Sequence, residues 1–218
     1  MKKYFRNFLI KYLPGILSEI RRFRYENFML PKTFLNHMNS LSDSHIVIDL
    51  GANAGRVTEA LARRGAKVFA FEPNSIALEK LQLVANKYSN IEVRNEAAGL
   101  RNQKIKLYLN EGGVTQSSSL LDDKPNVSSE MFEIVSEIDF SEFLKSFNTP
   151  IELIKIDIEG YEIQLINHLL NTNSLENVKM IYVETHERKF KELVSQTNAL
   201  KERVIEEGLD EKFFFDWH

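Results

Sequence analysis

"VIDLGANAGR", residues 47–56, is an apolar run that ends in an aspartate, a glycine and, four residues on, a second glycine. A plain strand-to-helix turn has no need of that pattern. A parallel strand whose backbone bends sharply at its carboxyl end, at the mouth of a ligand cleft, does. Working outward, "HIVIDL" reads as a buried strand and "RVTEALARRG" as a helix, with Val57, Ala60 and Leu61 inward and Gly65 as its stop. "AKVFAFE" is a second strand. "PNSIALEKLQLVANKY" is a second helix capped by Asn74, with Ile76, Leu78, Leu81 and Val84 as its apolar residues, and "NIEVRNEAA" is a third strand. Strands alternating with helices predict an α/β fold: a mostly parallel sheet with helices on both faces.

The rhythm breaks between residues 103 and 138. Short strands at 104–109 and 132–138 flank a polar loop rich in Gly, Ser, Thr and Asp, an insertion before the fourth strand. A long loop of this kind inside a domain is a lid or a binding loop, and residues 110–129 are the expected acceptor lid. Alternation then resumes with "SEFLKSF" (helix), "IELIKID" (strand), "EIQLINHLLN" (helix) and "VKMIYVE" (strand). One long helix, "ERKFKELVSQTNALKERVIEEG", and a last strand, "KFFFDW", follow.

The first thirty residues are basic and aromatic. Phe5, Leu9, Tyr12, Ile16, Ile20 and Phe23 recur at spacings of three or four, which predicts a helix, or two broken near Pro14-Gly15. Residues 1–42 are read as a helical cap and 43–218 as the main domain. A second reading makes residues 1–30 a basic amphipathic segment that touches an anionic membrane or a partner. With no cysteine in 218 residues, disulfides, thiolate metal sites and cysteine nucleophiles are excluded, and a cytoplasmic location fits, peripheral to the inner face of the membrane on that second reading. A net charge of −3 gives no global pull toward nucleic acid, and no nucleic-acid partner is expected.

The glycine turn selects among ligands. Gly51 and Gly55 let a ligand lie against bare amides, and Asp49 can bind a hydroxyl or an ammonium. Dinucleotides favour G-x-G-x-x-G, whereas here Asn53 stands where the second glycine belongs. That suits a smaller zwitterionic group, such as the amino acid portion of S-adenosylmethionine. Glu72, ending "VFAFE", can accept hydrogen bonds from both ribose hydroxyls. Asn95, Glu96 and Ala97, at the third strand end, can edge an adenine. Asp157 and Glu159 close the fourth strand, and Gly160 lets the next helix begin abruptly. Two carboxylates there can orient an acceptor hydroxyl and take its proton, help worth roughly 10²–10⁴-fold. Glu184 and His186 end the next strand, with His186 the best single candidate for a base near neutral pH. Asp157, Glu184 and His186 could instead bind a divalent cation, although no metal is expected.

"LIKIDIEGYE" (153–162) followed by "MIYVETHE" (180–187) resembles the FkbM family of S-adenosylmethionine-dependent methyltransferases. "VIDLGANAGRVT", "FEPN", "NEAAG" and "SSSL" recur in that family's order, over residues 45 to 187. The resemblance implies a class I (Rossmann-like) methyltransferase fold and methyl transfer, mostly to oxygen, with S-adenosylhomocysteine as product. It implies sugar hydroxyls of glycans, glycolipids or secondary metabolites as acceptors. By matching motif, Asp49, Gly51, Asn53, Gly55, Glu72 and 95–97 would hold the cofactor, and Asp157 and Glu159 would sit at the methyl-transfer end. The chain ends soon after its sixth strand, which leaves the family's seventh missing or supplied by another segment. The alternatives are a non-catalytic nucleoside-binding module, and methylation of another small molecule or of nucleic acid. Against the last, "DIEGY" lacks the Asn/Asp-Pro-Pro-aromatic turn of amino-methylating enzymes.

Overall fold

In the computed structural model, which describes residues 14–110, 120, 127–188 and 190–217, the chain divides into two units, Met1–Ser40 and Leu41–His218. The first holds α1 (Pro14–Phe28) and α2 (Lys32–Asn39). Ile16, Ile20 and Phe23, one face of α1, are 49%, 41% and 62% exposed. Phe5, Leu9 and Tyr12 lie outside the described residues.

The second unit runs β1 (Ile46–Leu50), α3 (Arg56–Ala62), β2 (Lys67–Phe71), α4 (Ser75–Ala85), β3 (Ile91–Arg94), β4 (Ala97–Gly99), β5 (Gln103–Asn110), β6 (Val127–Asp139), α5 (Phe140–Lys145), β7 (Ile151–Ile156), α6 (Glu162–Asn171), β8 (Val178–Glu184), α7 (Val194–Glu206) and β9 (Phe213–Trp217). Six strands pair in the order β3-β2-β1-β7-β8-β9, and each pair is parallel. A parallel sheet covered by helices buries both faces of its central strands, which is why β1, β7 and β8 read as near-continuous apolar runs. Ile48, Ile154, Ile156, Leu165, Ile181 and Val183 belong to the main core. Phe69 and Phe71 meet Phe143 of α5 edge-on, with centroids 5.7 and 5.1 Å apart.

The insertion forms a second sheet, β4-β6-β5, in which β5 and β6 are antiparallel and β4 pairs parallel with β6. Three sequence expectations are corrected. The third strand is two: β3 ends at Arg94, and after Asn95 and Glu96 the chain enters the other sheet as β4. The long last helix begins only at Val194, because residues 187–188 turn and Lys191–Leu193 form a 3-10 turn. In α4, Ile76 is exposed and Ala77 is buried in its stead. Asn74 does cap that helix, its Oδ1 accepting from Ala77 N at 3.0 Å.

The chain leaves β1 for β2 on one side and returns to β7 on the other. Strand order reverses there, so the carboxyl ends of β1 and β7 splay open into a crevice, the general ligand position in such sheets.

Candidate active site

The crevice takes in about 640 Å³ of space between the strand ends, with the open solvent at its mouth included. Gly51 and Asn53 line it from β1, Glu72 from β2, Glu96 and Ala97 from β4 and the residues before it, and Asp157 and Glu159 from β7. Leu107 and Leu120 close it from the insertion. The ends of the expected lid are strand, Asn110 in β5 and residues 127–129 in β6, and residues 111–119 and 121–126 lie outside the described residues, as do the first three residues of "SSSL".

The glycines serve the chain's own packing. Gly51 has φ +72, and a Cβ there would stand 1.8 Å from the carbonyl oxygen of Asp157, so only glycine lets the β1 turn abut the end of β7. A Cβ on Gly55 would meet Leu81 and Val84 of α4 at 3.0–3.3 Å. The turn's amides are committed as well. Gly51 N and Ala52 N both donate to Phe71 O, at 3.1 and 2.9 Å, and Gly55 N donates to Ala52 O. Asn53 N donates to Glu72 Oε2 at 2.7 Å. Of the amides expected to be bare, those of Gly51, Ala52 and Asn53 thus join β1 to β2, and that of Gly55 closes the turn on itself.

Glu72 also accepts from Asn74 N at 2.9 Å and is only 6% exposed. Burial pushes its pKa up to about 7, against the pull of the Asn74 and Asn53 amides and of Lys155, with Asp49 adding to the rise. Asp49 lies beneath the turn, fully buried, its Oδ2 accepting from Thr58 Oγ1 at 2.6 Å. Its other oxygen lies 3.2 Å from Lys155 Nζ. Asn95 is exposed and outside the lining, and Glu96 pairs with Arg94 at 2.8 Å.

Lys155, at 2% exposure, ties the two ends of the crevice together. Its ammonium donates to Gly51 O at 2.9 Å and Leu50 O at 3.2 Å, and sits 3.4 Å from Asp157 Oδ2. Beyond Asp157 the backbone takes positive φ at Glu159 (+55) and Gly160 (+101), which folds the Glu159 carboxylate back over the end of β7. A non-glycine residue held there costs about 1–3 kcal/mol. His186, 1% exposed, faces this bend. Its Nε2 lies 3.3 Å from Glu159 Oε2, 3.7 Å from Asp157 Oδ1 and 3.9 Å from Glu184 Oε1. Its Nδ1 lies 2.8 Å from Glu162 Oε1, and the other oxygen of Glu162 accepts from Gly160 N at 2.7 Å. Burial alone would lower the His186 pKa. The hydrogen bond and charge of Glu162, with Glu159 and Asp157, outweigh burial and raise it.

Glu162 is a site residue that sequence reading passes over, whereas Lys155 reads from strand alternation as a structural residue, buried or lifted to the rim. Glu162 carried a signal: it precedes Leu165, Ile166 and Leu169 by three, four and seven residues, the spacing of the buried face of α6. An acid on an apolar face needs a partner.

A family model described as "Methyltransferase FkbM domain" matches residues 49–208. Among solved structures, methyltransferase FkbM from Methylobacillus flagellatus KT is similar at TM-score 0.50 and 19% identity, covering 87% of this chain and 54% of that one. An rRNA methylase from Streptococcus thermophilus gives TM-score 0.46 at 14% identity, covering 82% of this chain and 81% of that one. Ribosomal RNA small subunit methyltransferase A of Thermotoga maritima is 41% identical over 56 residues, 26% of this chain and 20% of that protein. This chain thus spans about half of the FkbM structure and a fifth of the ribosomal RNA enzyme. Methyltransferase homologues imply S-adenosylmethionine as methyl donor. The family match takes in both ends of the crevice, from Asp49 to well past His186, and the chain belongs to the FkbM methyltransferase family.

Proposed function

We propose that this chain transfers a methyl group from S-adenosylmethionine to a hydroxyl of a sugar, in a glycan, a glycolipid or a secondary metabolite. One observation carries the reading: Glu72 and the Asp157–Glu159 pair border a single crevice from opposite strand ends. The residues present fit the donor. Glu72 is a nearly buried carboxylate with two backbone amides on it, and it lines the crevice with lone pairs to spare. In this reading Glu72 receives the ribose hydroxyls, Glu96 and Ala97 edge the adenine with Asn95 at the rim, and Gly51, Asn53 and Gly55 shape the turn that seats the amino acid portion, with Asp49 fixing that turn from below. When bound, the donor supplies an electrophilic methyl group on a sulfonium.

Asp157 and Glu159 then receive the acceptor. Their carboxylates accept hydrogen bonds from hydroxyls, hold the acceptor oxygen in line and take its proton. Glu184 and His186 stand behind them and fix their orientation. An acid-rich acceptor end suits a neutral polyhydroxy compound and repels a phosphate backbone. Residues 43–218 form the catalytic domain in this reading and 1–42 its cap. The exposed row Ile16, Ile20 and Phe23 is where a peripheral contact with an anionic membrane would form. Co-sedimentation with anionic vesicles, lost in the double variant I20E/F23E, checks that contact.

The acceptor test is formation of S-adenosylhomocysteine with monosaccharides and pooled glycans against ribosomal RNA. Turnover on the sugars alone is expected. Turnover on RNA alone would transfer the assignment to the acceptor named for the partly matching Thermotoga enzyme. Tight donor binding with no turnover on any hydroxylated acceptor would make the chain a binding module.

A further inference from the structure

We propose that Asp157, Glu159 and His186 form a divalent-cation site at the acceptor end of the crevice, with Glu162 as the residue that orients the imidazole. Each of the three offers one ligand atom, and these atoms lie within 4.8 Å of one another. The set differs from the one weighed on sequence by taking Glu159 in place of Glu184, whose carboxylate is the farthest from the imidazole.

A group of acids alone would not carry this. The imidazole does. His186 is buried, its Nε2 points at the carboxylates, and that nitrogen has no hydrogen-bond partner among the described residues. A buried polar atom left so is costly, and a ligand is one ordinary reason for it. The other ring nitrogen is held by Glu162, a fully buried carboxylate that also accepts the Gly160 amide. A ligating histidine is commonly oriented in this way, by a carboxylate on the nitrogen that faces away from the metal. Asp157 divides its oxygens in the same sense: Oδ2 turns to Lys155 and Oδ1 to His186. Separations of 3.3 and 3.7 Å from Nε2 need only a slight closing to become neighbouring corners around a cation with ligands near 2.1 Å.

Two carboxylates and one imidazole suit manganese or magnesium, and three protein ligands leave open positions toward the crevice. Asp157 and Glu159 both line it, so oxygens of an acceptor could complete the shell. That role, though not the site itself, rests on the methyltransferase reading above.

The test is titration of the full chain, stripped with a chelator, with Mn²⁺ followed by electron paramagnetic resonance, beside calorimetric titration with S-adenosylmethionine. One Mn²⁺ bound per chain is expected. E162Q should weaken it by about 10–100-fold, and D157N and E159Q by more, each variant first checked for an unchanged thermal transition. A signal that stays free throughout, with the donor still bound, overturns the cation site and leaves the methyltransferase reading standing. Bound Mn²⁺ with no donor binding leaves the site and removes that reading. Wild-type Mn²⁺ affinity in both D157N and E159Q also overturns the site.

Discussion

The two ends of the crevice are built from different materials. At the β1–β2 end the chain uses mostly backbone: four amides of the glycine turn are tied down, and one carboxylate, Glu72, fastens the turn to β2. At the β7–β8 end the chain uses side chains, with three acids around one imidazole and a fourth behind it. The first end tolerates little geometric change because backbone abuts backbone. The second is geometrically looser and electrostatically exacting. A shared donor needs one fixed seat, whereas acceptors differ between enzymes, and side chains can change without rebuilding a strand.

The comparison breaks most visibly at the acceptor end. E159Q is expected to lower turnover by roughly 10²–10⁴-fold while donor affinity is unchanged, measured as product formation against calorimetric binding. An equal loss of donor affinity would erase the distinction between the ends. Next, G51A forces a Cβ onto the Asp157 carbonyl at a positive φ. It should cost about 3 kcal/mol of stability, read by denaturant unfolding, and should impair both ends together.

Glu72 sharpens the contrast at the donor end. E72Q should weaken S-adenosylmethionine binding by about 1.5–3 kcal/mol, roughly tenfold to a hundredfold. In the unliganded protein Glu72 ionises near 7 rather than 4.5. The folded chain therefore holds the extra proton between those values. This group's contribution to stability is present below pH 4.5 and is lost as pH rises through 7. In the proposed reading donor binding runs the other way, because two ribose hydroxyls bond more strongly to the ionised carboxylate. Affinity should tighten from pH 6 to pH 8 and flatten above, and E72Q should abolish that slope. The smallest effect belongs away from the crevice. D139A removes the cap of α5, which accepts from Ser141 N at 2.9 Å, and should cost about 1 kcal/mol with turnover intact.

Local signals carried most of the fold. Short apolar runs located β1, β7 and β8, a period of 3.6 located α6, and the glycine at 51 marked the strand end that opens the crevice. What stayed hidden depends on contacts distant in sequence. Nothing in "NIEVRNEAA" says that its last residues leave one sheet for another, because the choice is made by pairing of Ala97–Gly99 with Glu137–Asp139. Nothing in "VIDLG" says that Asp49 faces inward to Thr58 and Lys155. Charged side chains at strand ends look solvent-bound until a buried counter-charge is placed beside them.

Among the described residues, the β5–β6 hairpin meets the rest of its unit at one root: the three-residue pairing with β4, Glu137 accepting from Leu100 N and Tyr161 Oη, the His168–Asp139 pair at 3.0 Å, Ile138 against the main core, and one bond from Ser75 N to Glu133. Such a graft can lengthen, shorten or change its tip while the donor seat stays as it is. Diversification of this scaffold toward new acceptors has a cheap route, by editing the hairpin and sparing the Rossmann core.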